Sequence, residues 1–342
     1  MTYLFELNHP KHFHQFKHIV SLLSADNNVI IIAREKEVLF NLLDENYVEY
    51  IKFSHSKSGS ILKKIAYHLI MLRKLLVVVY KHRPGFFLSK ASVSTIFVKV
   101  FFPKCKTVIF PDSEVVWLTN KIVRRFANKI FSPENFTKNF GNKQISVPGI
   151  FENAYLSPKN NSIEPLDLSL YGYPTKKKTV LLRFVGWSAN HDVNQFGFTE
   201  NQKKRLVQLF SKYDFNIIIS TESVLPNELE IYKNPIPASK MHSLLKVCQF
   251  YVGDSQTMAT EAALLGAKSF RYNSFVGVND MSNFKFLEKK GLLLNYNNFE
   301  ELMESIEFEI EGKTFRFKDS NNYWNECKDQ NSFILNHLIS EK

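Results

Sequence analysis

The sequence predicts an α/β protein of two domains, each a parallel sheet covered by helices, facing one another across a cleft. Three observations lead there. The chain has 342 residues, which at about 150 residues per domain makes two domains. Short apolar strands alternate with amphipathic helices, the order that builds parallel sheets. The alternation lapses once, in a polar, turn-rich stretch over 156–178, and then resumes.

The elements follow in order. Tyr3–Leu7 reads as a strand. Lys11–Ser24 places Phe13, Phe16, Ile19, Val20 and Leu23 at helical spacing. Val29–Ala33 is a continuous apolar run, suited to a strand buried on both faces. A helix over Glu35–Glu45, a strand over Tyr47–Phe53 and a long helix over Ser60–His82 follow, with Pro84 marking the end of the last. Further strands are read at Phe86–Leu88, Thr107–Phe110 and Lys129–Phe131. The second half repeats the pattern, with strands at Thr179–Phe184, Phe215–Ser220, Phe250–Gly253 and Lys268–Tyr272. Its helices are Glu200–Tyr213, Ala238–Val247, Thr257–Leu265, Met281–Lys290 and Phe299–Phe308. Ser320–Ser340 reads as one last helix. The expected organisation is a Rossmann-like domain over 1–155, a linker over 156–178, a second such domain over 179–318 and a terminal helix over 319–342. In open α/β sheets the ligand edge is the carboxyl end of the strands.

Composition narrows the function. Hydrophobic residues make up 44% and charged residues 23%, which excludes a disordered chain. Cys105, Cys248 and Cys327 are scattered, which excludes a disulfide scaffold and a cysteine zinc site. No apolar run approaches the roughly 18 residues of a membrane span, and residues 1–8 lack a basic leader region. The expectation is a cytoplasmic protein. The net charge of +11 is uneven. Residues 1–155 hold 22 Lys and Arg against 11 Asp and Glu, while 156–342 hold 22 of each. Between Glu49 and Asp112 stand twelve cations and no acid. Such a field suits a polyanion, a phosphorylated substrate or an anionic membrane surface. Ile61, Ile65, Leu69, Leu72, Leu76 and Val79 form one stripe in this region, flanked by Lys63, Lys64, Arg73 and Lys74. The stripe is either a core face under a solvated basic face or a basic amphipathic patch for anionic lipid, and the missing acids favour the patch. No recognised nucleic-acid module is present, so no specific nucleic acid is expected.

The chemistry gathers at strand ends. Gly253 ends a strand, Asp254 follows, and Ser255 is a good N-cap for the helix that Gln256 and Thr257 open. The first-turn N–H groups and the helix dipole suit a pyrophosphate. Glu261 lies six residues on, placed either to accept a ribose diol or to stand as an ordinary surface carboxylate. Arg183 ends the first strand of the second half and suits a phosphate. Trp187, His191 and Asp192 share the loop after it, Trp187 being suited to stack on a base or sugar. Ser220 and Glu222 close the next strand on the same rim. In the first half His9, His12 and His14 follow the first strand. One of them is read as a general base or substrate contact, against a plain polar helix start. No further ligands complete a metal site there, and no metal or cofactor is expected. Asp112 and Glu114 follow the strand Thr107–Phe110, either as acid–base or sugar-binding carboxylates or as helix-capping groups.

These residues carry a resemblance. Ile236-Pro237-Ala238, Met241-His242, Phe250–Ser255, Glu261-Ala262 and Gly266 resemble the nucleotide-sugar half-site of glycosyltransferase-B proteins. The segment is similar to non-hydrolysing UDP-N-acetylglucosamine 2-epimerases, whose helix begins Asp-Ser and carries a Glu six residues after the Ser. The whole chain resembles a bacterial and archaeal family, domain of unknown function 354. The resemblance rests on Asn8–Phe16, Ala33–Lys36, Asp112–Glu114, Leu182–Val193 and Gly253–Gly266. It implies the glycosyltransferase-B arrangement, with the donor in the second half and the acceptor in the basic first half. The epimerases use a glutamate near the position of Glu114. Two departures from them stand out. Asn8-His9-Pro10-Lys11 replaces their Gly-Thr-Arg-Pro-Glu loop, and Arg183-Phe184-Val185-Gly186-Trp187 replaces their His-Arg-Arg-Glu-Asn run. The resulting expectation is a glycosyltransferase with a nucleotide-sugar donor, UDP-linked, in surface polysaccharide assembly. It would be peripheral at the inner membrane face, with a lipid-linked acceptor. A UDP-N-acetylglucosamine 2-epimerase-like isomerase is the alternative, and a non-catalytic nucleotide-sugar or nucleic-acid binding protein the third reading.

Overall fold

The computed structural model describes residues 1–36, 38–53, 61–111, 113–114, 117–186, 196–277, 280–313 and 316–340; for 61–65 and 117–118 it describes the backbone alone. The chain forms two compact units, Met1–Tyr155 with Lys328–Lys342, and Leu156–Cys327.

The first unit is built on seven parallel strands: β1 (Thr2–Leu7), β2 (Asn28–Arg34), β3 (Ile51–Phe53), β4 (Phe86–Ser89), β5 (Lys106–Ile109), β6 (Lys129–Pro133) and β7 (Gln144–Val147). Their order is β3-β2-β1-β4-β5-β6-β7, the doubly wound arrangement, with its reversal between β1 and β4. Helices cover both faces of the sheet. Phe13, Phe16, Ile19 and Leu23 of helix Pro10–Ser24 pack with Tyr3, Phe5 and Leu7. Met71, Leu75 and Val79 of helix Ile61–His82, with Val98 of helix Ser94–Phe101, pack with Leu4 and Phe87 on the other face.

The second unit has five parallel strands: β8 (Thr179–Phe184), β9 (Asn216–Thr221), β10 (Phe250–Gly253), β11 (Lys268–Tyr272) and β12 (Leu293–Tyr296). Their order is β12-β11-β10-β8-β9, so the reversal lies between β8 and β10. Gly253 stands opposite Arg183 in that pairing.

Several expectations change. The stripe on the long helix is split: Val79 joins the core and Leu69 faces out, while the side chains of Ile61 and Ile65 lie outside the described residues. Met71, Leu75 and Val79 are buried, whereas Leu69 is 61% exposed. At 3.6 residues per turn Leu69 and Leu76 point about 140–160° away from Met71. The helix is apolar on more than one side, and the sheet takes the i, i+4, i+8 line. Helix Glu35–Glu45 begins only at Leu39, because Glu35 N–H bonds the Phe53 carbonyl and prolongs the strand edge. The last expected helix is two. Ser320–Glu326 belongs to the second unit, where Trp324 Nε1 donates to the Leu264 carbonyl at 3.0 Å. Gln330–Ile339 belongs to the first unit, with Ile334 and Leu338 in its core. Asp329 separates them by accepting Asn331 and Ser332 N–H groups, which starts a fresh helix. The 156–178 stretch packs on the second unit. Leu166 N–H bonds the Ser243 carbonyl and Lys246 Nζ the Ile163 carbonyl.

Candidate functional site

In an open α/β sheet the strand order reverses at one place, and the loops diverging from the carboxyl ends there leave a crevice. In the second unit this place lies between Arg183 at the end of β8 and Gly253-Asp254-Ser255 after β10. Asp254 is the hub. Its carboxylate is almost fully buried and accepts the N–H groups of Val185 at 2.8 Å and Phe198 at 3.4 Å. Its own N–H donates to the Arg183 carbonyl at 3.2 Å, and its carbonyl accepts Asn273 Nδ2 at 3.3 Å. Both ends of the loop after β8 are thereby tied to the turn after β10.

From that turn the helix Gln256–Leu264 departs. Ser255 is its N-cap and accepts Met258 N–H on its hydroxyl. The N–H groups of Gln256 and Thr257, first in the helix, have no intrahelical partner by geometry, and both residues are partly exposed. Glu261 faces inward, 6% exposed, with its Oε1 3.3 Å from His242 Nε2. His242 belongs to the helix Met241–Val247, and in the sequence only the resemblance, not local chemistry, points to it. Tyr251 is fully buried beneath the turn, and its hydroxyl reaches the Ser255 carbonyl at 3.4 Å. Burial holds that phenol protonated well above its ordinary range. Gly253 makes this possible, since a Cβ there would stand 2.4 Å from Tyr251 Oη and 2.9 Å from Arg183 Cβ.

Arg183 reaches along the strand edge. It donates to Ser220 Oγ at 2.8 Å and to the Glu222 carboxylate, which also accepts Gly186 N–H at 3.2 Å. The structure therefore joins Arg183, Ser220 and Glu222 in one network beside Asp254, Ser255, Gln256, Thr257 and Glu261. Trp187, His191 and Asp192 lie outside the described residues.

The first unit reverses between β1 and β4. The loop after β1 carries His9, which caps helix Pro10–Ser24 by accepting Lys11 N–H on Nδ1 at 3.2 Å. His12 Nδ1 accepts Asn8 N–H at 3.1 Å. The rings of His9 and His12 lie 6.0 Å apart, while His14 turns to stack on Tyr155. Lys11 pairs with the buried Glu152 at 2.8 Å. After β4, Lys90 donates to Gln15 Oε1 at 2.7 Å and sits 4.2 Å over the Phe151 ring. Neither Lys90 nor Glu152 stood out in the sequence; only the strand order brings them beside the histidine loop. Glu6, buried within β1, accepts the hydroxyls of Ser92 and Ser94 and Arg34 NH2, which fixes the loop after β4. Glu114 accepts Thr137 N–H and Oγ1 at 3.3 and 3.4 Å. Asp112 lies outside the described residues, as do the side chains of Lys63 and Lys64.

The chemistry at hand is that of carboxylates, imidazoles, an arginine and a helix N-terminus. Burial pushes the Cys105 thiol up to about 12 and Cys248 higher still, so neither supplies a thiolate. Among the described residues no three His, Cys, Asp or Glu side chains form a metal-holding group, and no helix is long and apolar enough to cross a membrane.

Solved structures share this fold along the whole chain. UDP-GlcNAc 2-epimerase from Methanocaldococcus jannaschii, in complex with UDP-GlcNAc and UDP, is 13% identical, with a TM-score of 0.67 over 100% of both chains. UDP-GlcNAc 2-epimerase from Neisseria meningitidis, bound to UDP-GlcNAc, is 12% identical, with a TM-score of 0.66 over 99% of this chain and 100% of that one. The spinosyn rhamnosyltransferase SpnG complexed with thymidine diphosphate is 12% identical, with a TM-score of 0.61 over 98% and 99%. These likenesses establish the fold class, two Rossmann-like domains of the glycosyltransferase-B kind. No curated protein matches the sequence. The family described as protein of unknown function (DUF354) matches residues 3–323, nearly the whole chain, and the chain belongs to it.

Proposed function

We propose that the chain is a glycosyltransferase that takes a nucleotide-sugar donor, UDP-linked, in the assembly of surface glycans. One observation carries this reading. At the reversal point of the second sheet Asp254 ties the backbone at Arg183 to the turn that opens a capped helix carrying the buried Glu261, in a fold whose solved neighbours are bound to UDP-GlcNAc, UDP or thymidine diphosphate.

In this reading the amides of Gln256 and Thr257 with the Ser255 hydroxyl take the pyrophosphate, and Glu261 takes the ribose diol. Arg183 turns from Glu222 to a phosphate oxygen as the sugar–phosphate bond breaks, so the negative charge of the departing nucleotide meets a cation and a helix dipole. Ser220 and Glu222 hold Arg183 until then. Trp187, His191 and Asp192 complete the donor side. One of His9, His12 and His14 takes the proton from the acceptor hydroxyl as its oxygen joins the sugar carbon. Asp112 and Glu114 bind acceptor hydroxyls. The basic first unit selects a phosphate-bearing acceptor at an anionic lipid surface, with Lys63, Lys64, Arg73 and Lys74 on its side.

A second reading is isomerisation like that of the UDP-GlcNAc 2-epimerases, favoured by the end-to-end likeness to them. The two part in one assay. An epimerase turns UDP-GlcNAc into its 2-epimer with no acceptor present, whereas a transferase releases UDP only when an acceptor is supplied. The donor itself is tested by thermal shift against UDP, GDP, CMP and TDP sugars. Ligand at a hundredfold excess over Kd adds about 2.7 kcal/mol. Calorimetry on Glu261→Ala follows, with UDP affinity expected to fall by about 1.5–3 kcal/mol, the scale of a hydrogen bond to a charged group. No stabilisation by any nucleotide sugar, or wild-type UDP affinity in the folded variant, rejects the donor site.

A further inference from the structure

The long helix Ile61–His82 gives its Met71–Leu75–Val79 line to the sheet and is still apolar on its outer side. Leu69 is 61% exposed, Ile70 55%, Val77 57% and Tyr80 67%. Helix Ser94–Phe101 packs beside it and ends in Phe101, 58% exposed. Together Leu69, Leu72, Leu76, Val77, Tyr80 and Phe101 line a shallow groove of about 400 Å³. Monomeric proteins rarely leave so many large apolar side chains together in water without a partner.

The charges around the groove identify the partner. Arg73 lies in its lining. Lys74, Lys81, Arg83 and Lys104 are exposed on the same helix, its end and the neighbouring turn. Arg83 stands over the Tyr80 ring at 5.9 Å. No acidic residue occurs anywhere from Tyr50 to Pro111. A second copy of this chain is a poor occupant, because a two-fold contact sets the patch against itself, cation against cation. A protein groove for an acidic peptide would bind a narrow apolar ridge, whereas here the apolar residues spread over two helices with cations along their margin. Amphipathic Tyr and long basic side chains beside exposed Leu, Val and Phe are the composition of a surface lying in the headgroup layer of a bilayer.

We propose that this two-helix face docks on an anionic lipid bilayer, the apolar side chains entering the interface and the cations meeting headgroup phosphates. The proposal deepens and rests on the reading of the basic unit given above, and it is independent of the donor chemistry of the other unit.

The test is co-sedimentation of the full chain with vesicles of pure phosphatidylcholine or of phosphatidylcholine with one part in three phosphatidylglycerol. Binding is expected to the anionic vesicles at about 0.05 M salt and to weaken steeply at about 0.15 M, where the Debye length is about 8 Å. Arg73→Glu with Lys74→Glu should lower the partition coefficient at least about 30-fold, as two headgroup contacts are lost. Leu69→Gln with Val77→Gln should lower it at least about tenfold by removing buried apolar area. All four positions are exposed, and unchanged circular dichroism and nucleotide response verify that the variants are folded. Absence of binding to anionic vesicles at low salt overturns the proposal, as does wild-type binding by the Leu69→Gln, Val77→Gln variant. A dimer in sedimentation velocity that this variant dissociates assigns the face to a second copy and overturns it too. An oligonucleotide that displaces the protein from vesicles and binds the variant equally overturns it in favour of nucleic acid. Vesicle failure with an intact nucleotide response leaves the donor site standing; the reverse result rejects only that site.

Discussion

Gly253→Ala tests how tightly the candidate donor site is built. Gly253 closes β10, and its missing Cβ is the space that Tyr251 uses to fold back under the turn. The added carbon would stand 2.4 Å from Tyr251 Oη, 2.7 Å from Tyr251 Cζ and 2.9 Å from Arg183 Cβ. Ordinary carbon contacts begin near 3.5 Å, so the overlap is about an ångström on the Tyr251 side and about 0.6 Å on the Arg183 side. Tyr251 is fully buried and has no open direction in which to move. Overpacking of this kind costs about 1–3 kcal/mol. Displacing Tyr251 also breaks its bond to the Ser255 carbonyl, worth about 0.5–1.5 kcal/mol. The expected loss is therefore about 2–4 kcal/mol, which at 2–4 °C per kcal/mol lowers the melting temperature of the second unit by roughly 4–16 °C. Differential scanning calorimetry reads this directly. Tyr251→Phe removes the nearest atom, so the double variant should lose less than the sum of the two single changes, with a coupling energy of at least about 0.5 kcal/mol. A Gly253→Ala protein melting with the wild type, or strict additivity in the cycle, would refute the account of the turn.

Three further outcomes are expected. Asp280→Ala should destabilise the second unit by about 3–5 kcal/mol in urea unfolding, because it strands the fully buried Arg271, now held by two 2.8 Å bonds to Asp280; a loss under about 1 kcal/mol would show that Asn295 and Phe284 suffice to hold the guanidinium. Of the three histidine variants, His9→Ala or His12→Ala should lower turnover far more than nucleotide affinity, since a base acts only in the transition state; wild-type turnover in all three, His14→Ala included, removes the base from this loop. His18 is depressed by burial foremost, with Lys17 adding and Asp329 opposing. Its folded form therefore binds a proton less readily than the unfolded chain, and it contributes stability that is present above the usual histidine range and lost as pH falls through the depressed value. The drop in urea midpoint between about pH 7.5 and pH 5.5 should shrink in His18→Gln; an unchanged pH dependence would refute it.

The sequence carried the fold because the central strands are short, predominantly apolar runs. Val29–Ala33 and Thr179–Phe184 sit inside their sheets, and period-free apolar runs of that length fit strands buried on both faces. The elements it did not show are those whose burial depends on neighbours. The edge strand β7, Gln144–Val147, alternates polar and apolar over too few residues to register. At β12 the apolar run, Leu292 with Leu293 and Leu294 of the strand, fits a helix as well as a strand. The long helix stays ambiguous for the opposite reason: it is apolar on more than one side, and spacing alone gives no unique inward line. Likewise the break at Asp329 is a single capping residue within a helix-compatible stretch.

Candidate site residues were legible where local chemistry follows a strand end, as at Ser255, Glu261 and Arg183. Those recruited from distant sequence were not, and the physical cause is the switch point itself. His242 meets Glu261 across nineteen positions of chain, and Lys90 reaches Gln15 from the far side of the first reversal. Strand order decides which loops become neighbours, and no local pattern encodes strand order. The sequence places Asp254 among the donor-binding residues, and the structure gives its carboxylate backbone amides as partners. Its carboxylate accepts the Val185 and Phe198 amides, which ties both ends of the loop after β8 to this turn. A buried carboxylate with that duty keeps the turn in place. If so, Asp254→Asn should retain the fold while weakening the hold on the Val185 amide, and nucleotide binding should suffer through a loosened loop. A variant that binds UDP as the wild type does would show that the loop after β8 needs no such tether.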